Sequence, residues 1–383
     1  MRAWRRRAAV TRHTRLAAAT TVLALFGFGA ACRGGAGQDA AARVETVFSR
    51  FQSRAAPGLA VLVVRDGKTV FERGYGVTDL RTKRTIDGAT NFRLASVSKQ
   101  FTAMAIMLLA HDHTLAYDDR LADVLPNFPG YGRAMTIRHL LTHTSGLRDY
   151  EDLMPKPAAD LPDSESQQIT DAGALQLLKR ERGTTFPPGS RWEYSNSGYC
   201  VLAMVVEQVS GKPFGTFLRE RVFAPLKMTR TVAYQKGWND VSSRAFGHTP
   251  TDTGWKETDQ SPTSATLGDG GIYSSLDDLG KWDAALREHT LLGEVEMREA
   301  LTPAVVPGPA AIGPDGQPVS YGFGWFLNPH HGHDRMWHYG ETVGFRTTIQ
   351  RFPKAGLTVI ILANRNDLVP TEYALKVADL FLQ

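Results

Sequence analysis

Phe92-Arg93-Leu94-Ala95-Ser96-Val97-Ser98-Lys99 leads into a run from Gln100 to His111 made almost wholly of good helix formers. Phe101, Met104, Ala105, Ile106, Met107, Leu108 and Leu109 leave that run without a polar face, which predicts a helix buried on all sides. A polar Ser-x-x-Lys pair at the mouth of such a helix is unusual. Residues three apart on a helix are neighbours, about 5–6 Å between Cβ atoms, so Ser96 and Lys99 share a face. The first turn also presents free N–H groups and the positive end of the helix dipole. A serine becomes a nucleophile when a base stands beside it, and a desolvated lysine can be that base. Taken alone the stretch reads more plainly as an N-cap serine followed by a snorkelling lysine, so the catalytic reading rests on what accompanies it. Ser98 is the rival nucleophile, but at i,i+1 it does not face Lys99.

The chain has 383 residues, 42% hydrophobic and 22% charged, an ordinary soluble composition with room for one to three domains. Its formal charge of +5 misleads. Arg2, Arg5, Arg6, Arg7, Arg12 and Arg15 all lie in the first 31 residues, which hold no acid, and without these six the body carries −1. That balance gives no footing for nucleic-acid binding. The arginines precede an apolar, small-residue stretch at 16–31, so 1–31 reads as a secretory signal peptide and the mature protein is expected in the periplasm or outside the cell. The stretch is short of the roughly 20 residues of a membrane span, although an uncleaved anchor is the other reading. Cys32, after Gly29-Ala30-Ala31, offers a site for lipid anchoring, with Gly29 standing where lipoprotein signals usually carry leucine. Cys200 is the other cysteine, and two cysteines make no disulfide framework.

Residues 32–41 read as a linker and 42–52 as an amphipathic helix. Leu59-Ala60-Val61-Leu62-Val63-Val64, the pair Asp66-Gly67 and an alternating 69–74 predict a β-hairpin. Helices are predicted over 136–147, ended by Gly146, and over 169–182, 194–210, 213–223, 276–288 and 372–382. Between them, 228–266 is long and aperiodic, the mark of a segment that covers a site. Stretches 321–327, 347–352 and 357–364 read as strands, the last two joined by Pro353-Lys354-Ala355-Gly356. Hairpins in place of alternating βαβ units argue for an antiparallel sheet with helices around it, an α/β fold of α+β type. The sheet domain would be built from 42–115 and 270–383, with 116–269 inserted as a helical lobe with lid loops.

Two further motifs accompany Ser96. Tyr194-Ser195-Asn196 stands at a helix start about a hundred residues on, and His338-Tyr339-Gly340 lies among the closing strands. A tyrosine can relay a proton, and an asparagine can hydrogen-bond both a lysine and a substrate amide. An imidazole before a glycine on a strand edge can face a substrate that the glycine lets come close. With the three motifs in this order, the chain resembles the penicillin-recognising serine hydrolases over residues 40–382. That family includes class C β-lactamases, D,D-peptidases, D-aminopeptidases and family VIII esterases. Residues 139–147, Pro187-Pro188-Gly189 and 270–279 are also similar to it.

The resemblance implies the β-lactamase/D,D-peptidase fold and a set of roles. Ser96 would form an acyl-enzyme, and Lys99 and Tyr194 would share the general-base work, with the first base left open. Asn196 would orient Lys99 and the substrate amide, His338 and Gly340 would border the substrate, and the N–H groups of Ser96 and Glu341 would form the oxyanion hole. His-x-Gly in place of Lys-Thr-Gly puts a partial cation in the third motif, which weakens a β-lactamase reading and favours D-amino-acid peptides or small esters. The Glu341 carboxylate would repel anionic substrates or point away. No cofactor and no metal is implied, and the partner would be a small peptide or ester, with a cell-wall peptide among the candidates.

Other readings carry less. His330-His331-Gly332-His333-Asp334 resembles a metal cluster, but Arg335 stands where a metallo-hydrolase pattern needs an acid, so a polar hairpin loop is the better reading. His139 and His143, four apart without a third ligand, read as structural, and Cys200 as core. The chain has no G-x-S-x-G elbow. The alternative from another class is a catalytically silent binder of cell-wall peptides or of a protein partner, against which the complete set of motif residues argues.

Overall fold

The computed structural model describes residues 33–155 and 168–382. The proposed signal peptide, Cys32 and part of the loop after Asp149 lie outside the described residues. Eight antiparallel strands make the central sheet: β1 (Leu59–Arg65), β2 (Lys68–Tyr75), β3 (Ala311–Ile312), β4 (Pro318–Tyr321), β5 (Phe326–Leu327), β6 (Met336–Thr342), β7 (Phe345–Phe352) and β8 (Leu357–Ala363). Their spatial order is β2-β1-β8-β7-β6-β5-β4-β3. Early and late segments therefore meet at the sheet's heart, where Leu59 pairs with Ala363. Asp66 and Gly67 turn the first hairpin at φ 48° and 75°, the left-handed conformation an Asp-Gly pair tolerates.

β1 and β8 are apolar apart from Arg65 and Thr358 because both sheet faces are covered. Side chains alternate across a strand. Leu59, Val61, Val63, Val359 and Ile361 pack towards Val44 and Val377 of the two terminal helices, α1 (Arg33–Val47) and α5 (Pro370–Ala378), and towards Phe48 just past α1. Ala60, Leu62, Ile360 and Leu362 face the opposite way, into a cluster with residues of α2 (Lys99–His111), α3 (Asn196–Ser210) and α4 (Leu276–Glu288). That cluster runs on through Leu140, Leu141, Phe214 and Phe217, so the sheet and the helical segment 116–269 share one core. Among the described residues no helix is long and apolar enough to cross a membrane.

Several sequence expectations shift. The linker at 32–41 is already helical from Arg33. The helix expected over 136–147 spans only Ile137–Leu141, because the chain turns left-handed at His143 (φ 59°) and buries that ring. The strand expected over 321–327 is a hairpin, β4 and β5, split by Gly322-Phe323-Gly324. Within 228–266, His248–Thr251 and Gly254–Glu257 form a ribbon. Val232–Ala233 joins Ile272–Ser274 and Phe92–Arg93 in a small sheet that feeds the Ser96 turn.

Candidate active site

Arg93 pairs with Tyr273, and the chain then passes through Ala95 into a 3-10 turn, Ala95–Ser98, that continues as α2. Ala95 sits at φ 48°, a left-handed conformation that costs a non-glycine residue about 1–3 kcal/mol, so strain is placed directly before Ser96. Two strands hold the turn from the other side. Thr347 Oγ1 on β7 donates to Leu94 O at 2.7 Å. Gly340 of β6 lies so close that a Cβ there would stand 2.0 Å from Leu94 O and 2.3 Å from Thr347 Oγ1. Only glycine lets β6 press against the turn. β5 pairs with β6 only at Met336 and Trp337, which leaves the later part of that strand edge outside the ladder.

Lys99 is fully buried, the unusual state for a lysine. Its Nζ has three oxygen partners, each at 2.9 Å: Ser96 Oγ, Asn196 Oδ1 and the Asp269 carbonyl. None is a carboxylate. Burial pushes the Lys99 pKa down, and the nearby Asp269 charge only partly opposes it. The three partners suit both protonation states. An ammonium donates to all three, whereas a neutral amine donates to Asn196 and Asp269 and accepts from the Ser96 hydroxyl.

Tyr194 and Asn196 are set by the start of α3. The Ser195 side chain caps the helix through Gly198 N, and the Ser195 N–H donates to His143 Nδ1 at 3.1 Å. The His143 and Tyr194 rings lie 4.4 Å apart, and Phe326 stacks on Tyr194 at 6.1 Å. Burial drives the Tyr194 phenol well above its usual pKa, with Ser96 beside it pulling the other way. No group satisfies hydrogen-bond geometry with that hydroxyl.

His338 departs from expectation. The ring is fully buried and neutral, because burial and then the Lys99 charge push its pKa down to about 3. Nδ1–H donates to the Tyr339 carbonyl at 2.7 Å and Nε2 accepts from the Tyr321 hydroxyl at 2.9 Å. A partial cation facing the substrate is therefore not what this residue supplies; it is a neutral ring locked beneath the strand. Glu341 is half-exposed and pairs with Arg346 across the β6–β7 hairpin at 2.8 Å, so its charge is answered without leaving the cleft wall.

Ser96, Asn196, Arg93, Glu151, Asp269 and Glu341 are among the residues lining a cleft of about 60 Å³. His338 is not among them. Burial, then Asp149 and Asp269, raise the Glu151 pKa, a sign that carboxyl groups cluster on this side of the cleft. A larger hollow of about 720 Å³, lined within residues 215–242, holds none of the motif residues. Two supports had no legible sign in the sequence, Tyr321 and Asp171; a third, His143, was read there as structural and is so. The Asp171 carboxylate accepts from Leu267 N and Gly268 N at 2.8 and 3.1 Å, which fixes the turn whose Asp269 carbonyl meets Lys99. Among the described residues two groups of side chains could hold a metal, the buried Asp171, Cys200 and Asp269 and the surface His330, His331 and Asp379; neither contains Ser96, Lys99 or Tyr194.

Comparison with known proteins agrees with this geometry. Residues 41–382 match the Beta-lactamase family model. Penicillin-binding protein 4* of Bacillus subtilis is 30% identical over 349 residues, covering 88% of this chain and 74% of the relative. A D-aminopeptidase of Cereibacter sphaeroides is 32% identical over 314 residues, which are 80% of this chain but 57% of that enzyme. Among solved structures, a D-amino acid amidase of Ochrobactrum anthropi superposes with TM-score 0.74 at 25% identity, covering 89% of this chain and 98% of its own. EstCE1, a hydrolase with promiscuous acyltransferase activity, gives 0.73 at 25% identity, covering 91% and 100%.

Proposed function

Because the chain belongs to the β-lactamase family of serine hydrolases, we propose that it acts after export as an acyl-enzyme hydrolase of small amides or esters, with Ser96 as nucleophile. The observation that carries this reading is the contact of Ser96 Oγ with a fully buried lysine that has no carboxylate partner. Lys99, as the free amine, takes the Ser96 proton while Oγ attacks the substrate carbonyl. The N–H groups of Ser96 and Glu341 receive the developing oxyanion, each worth about 10²–10³ in kcat at such sites. The carbonyl's bond to the leaving group then breaks as the Tyr194 hydroxyl gives that group its proton and takes up the one held by Lys99, and water releases the acyl group through the same residues in reverse.

The cleft's charge supports one substrate class over another. Glu151, Asp269 and Glu341 line it against one guanidinium, that of Arg93, while Arg346 is engaged by Glu341 and His338 is neutral. An acyl donor with a free ammonium meets three carboxyl groups on this wall, whereas an anionic β-lactam meets the Arg93 guanidinium alone. The names of the D-aminopeptidase and D-amino acid amidase relatives point the same way.

The test is intact mass spectrometry of the protein and its Ser96→Ala variant after incubation with a fluorescent phosphonate and a fluorescent penicillin. Turnover is followed in parallel on D-alanine p-nitroanilide, its N-acetyl derivative, p-nitrophenyl acetate, nitrocefin and a D-Ala-D-Ala peptide. Expected are labelling by the phosphonate that vanishes in Ser96→Ala and faster turnover of the free-amine anilide than of its acetylated form. A wild type that stays unlabelled and turns over nothing would replace this reading with that of a binding protein.

A further inference from the structure

In the loop between β5 and β6, Arg335 stands where a metal motif would carry its acid, and Asp334 pairs with Lys354. The fold supplies an acid from the chain's far end. His330 Nε2 lies 2.7 Å from Asp379 Oδ1, and His331 Nε2 lies 3.8 Å from the same oxygen. Adjacent residues in an extended chain point to opposite sides. Here they converge, because His331 takes a left-handed backbone (φ 47°) and the loop is closed by reciprocal backbone bonds between His330 and His333 at 3.0 and 2.9 Å. The two rings come within 4.1 Å of each other, and the three donor atoms all lie within 4.8 Å.

We infer that His330, His331 and Asp379 form a binding site for a divalent transition ion of the zinc class. Two imidazoles and one carboxylate are a borderline donor set that suits Zn²⁺, Ni²⁺ or Cu²⁺ and disfavours Mg²⁺ and Ca²⁺. Zinc bonds of about 2.0–2.2 Å would draw the three atoms together by small side-chain movements. His331 is free to make them, its side chain being 71% exposed. Water would fill the remaining positions. The ion would fasten the end of α5 to the loop that feeds β6, the strand whose later part borders the candidate active site.

The untagged full chain, stripped by chelator and dialysed, would be titrated with Zn²⁺ against a chromophoric chelator of micromolar affinity and melted with and without the ion. Expected are one bound equivalent and, at a hundredfold excess over the dissociation constant, a Tm raised by a few degrees. His331→Ala and Asp379→Asn, both changes at accessible side chains, should each weaken binding at least tenfold while keeping the apo Tm. No binding by the wild type would overturn the site. Binding that survives both substitutions unchanged would overturn it too, by placing the ion elsewhere, such as at Asp171, Cys200 and Asp269.

Discussion

The Tyr194 hydroxyl is buried with Ser96 as its polar neighbour and without a well-formed hydrogen bond, a condition that costs stability wherever it occurs. Removing it removes an unsatisfied polar atom and leaves the ring in its stack with Phe326. Tyr194→Phe is therefore expected to melt at or above the wild-type temperature while losing about 10²–10⁴ in kcat, the usual worth of a positioned proton carrier. Turnover and thermal melting on one preparation check both halves, and a Tm lowered along with kcat would assign the hydroxyl a structural part instead. Lys99 makes a complementary case. Its pKa is depressed by burial, so kcat/KM should rise with pH as the ammonium loses its proton, at a pH below the ordinary lysine value. An arginine stays charged at any working pH. Lys99→Arg should lose at least 10² in kcat/KM together with that limb of the pH profile.

At the scale of elements, the candidate site is the place where β6 is pressed onto the Ser96 turn. Gly340→Ala would place a methyl group inside contact distance of backbone, at Leu94 O, which cannot swing away as a side chain can. The strand must then retreat from Ser96, and the Glu341 N–H retreats with it. The expectation is 1–3 kcal/mol of lost stability, typical of overpacking, and at least a tenfold fall in kcat with a smaller change in KM, read by denaturant titration and steady-state kinetics. Elements defined by local chemistry were legible in the sequence. Asp66-Gly67 set the first hairpin, Ser195 and Gly211 bound α3, and Leu276–Glu288 ran as expected. Elements decided by distant contacts were not. The 136–147 helix ends early because His143 turns inward to receive the Ser195 N–H, a partner 52 positions away. His338 looked like a substrate-facing cation because nothing local reveals that Tyr321 and Tyr339 consume both its nitrogens. Of the candidate site, Ser96, Lys99, Tyr194, Asn196, Gly340 and Glu341 were legible as motif positions, whereas the acid wall at Glu151 and the clamp at Asp171 emerge only when loops far apart in sequence meet.

For the molecule as a whole, one core spans the sheet and the helical segment, so buried titratable groups report on the stability of the entire fold. His338 has its pKa pushed down to about 3 by burial and by Lys99, against about 6.5 in the unfolded chain. Between those values the unfolded state holds the extra proton, so the contribution of His338 to stability is lost as pH falls from about 6.5 towards 3. Asp171 runs the other way. Burial and the Asp269 charge raise its pKa to about 7, so the folded state holds the extra proton between 3.8 and 7, and stability from this group grows as pH falls. In the window the two share, each contributes a slope of up to about 1.4 kcal/mol per pH unit, with opposite signs. Substitution should separate them. Denaturant midpoints of His338→Gln, followed from pH 6.5 down to 4.5, should fall less steeply than those of the wild type, and those of Asp171→Asn more steeply. Neither slope changes if the two groups titrate normally in the folded state. A His338→Gln curve parallel to the wild type would mean that the imidazole is protonated in the native fold, and the neutral ring bonded to Tyr321 would have to be given up.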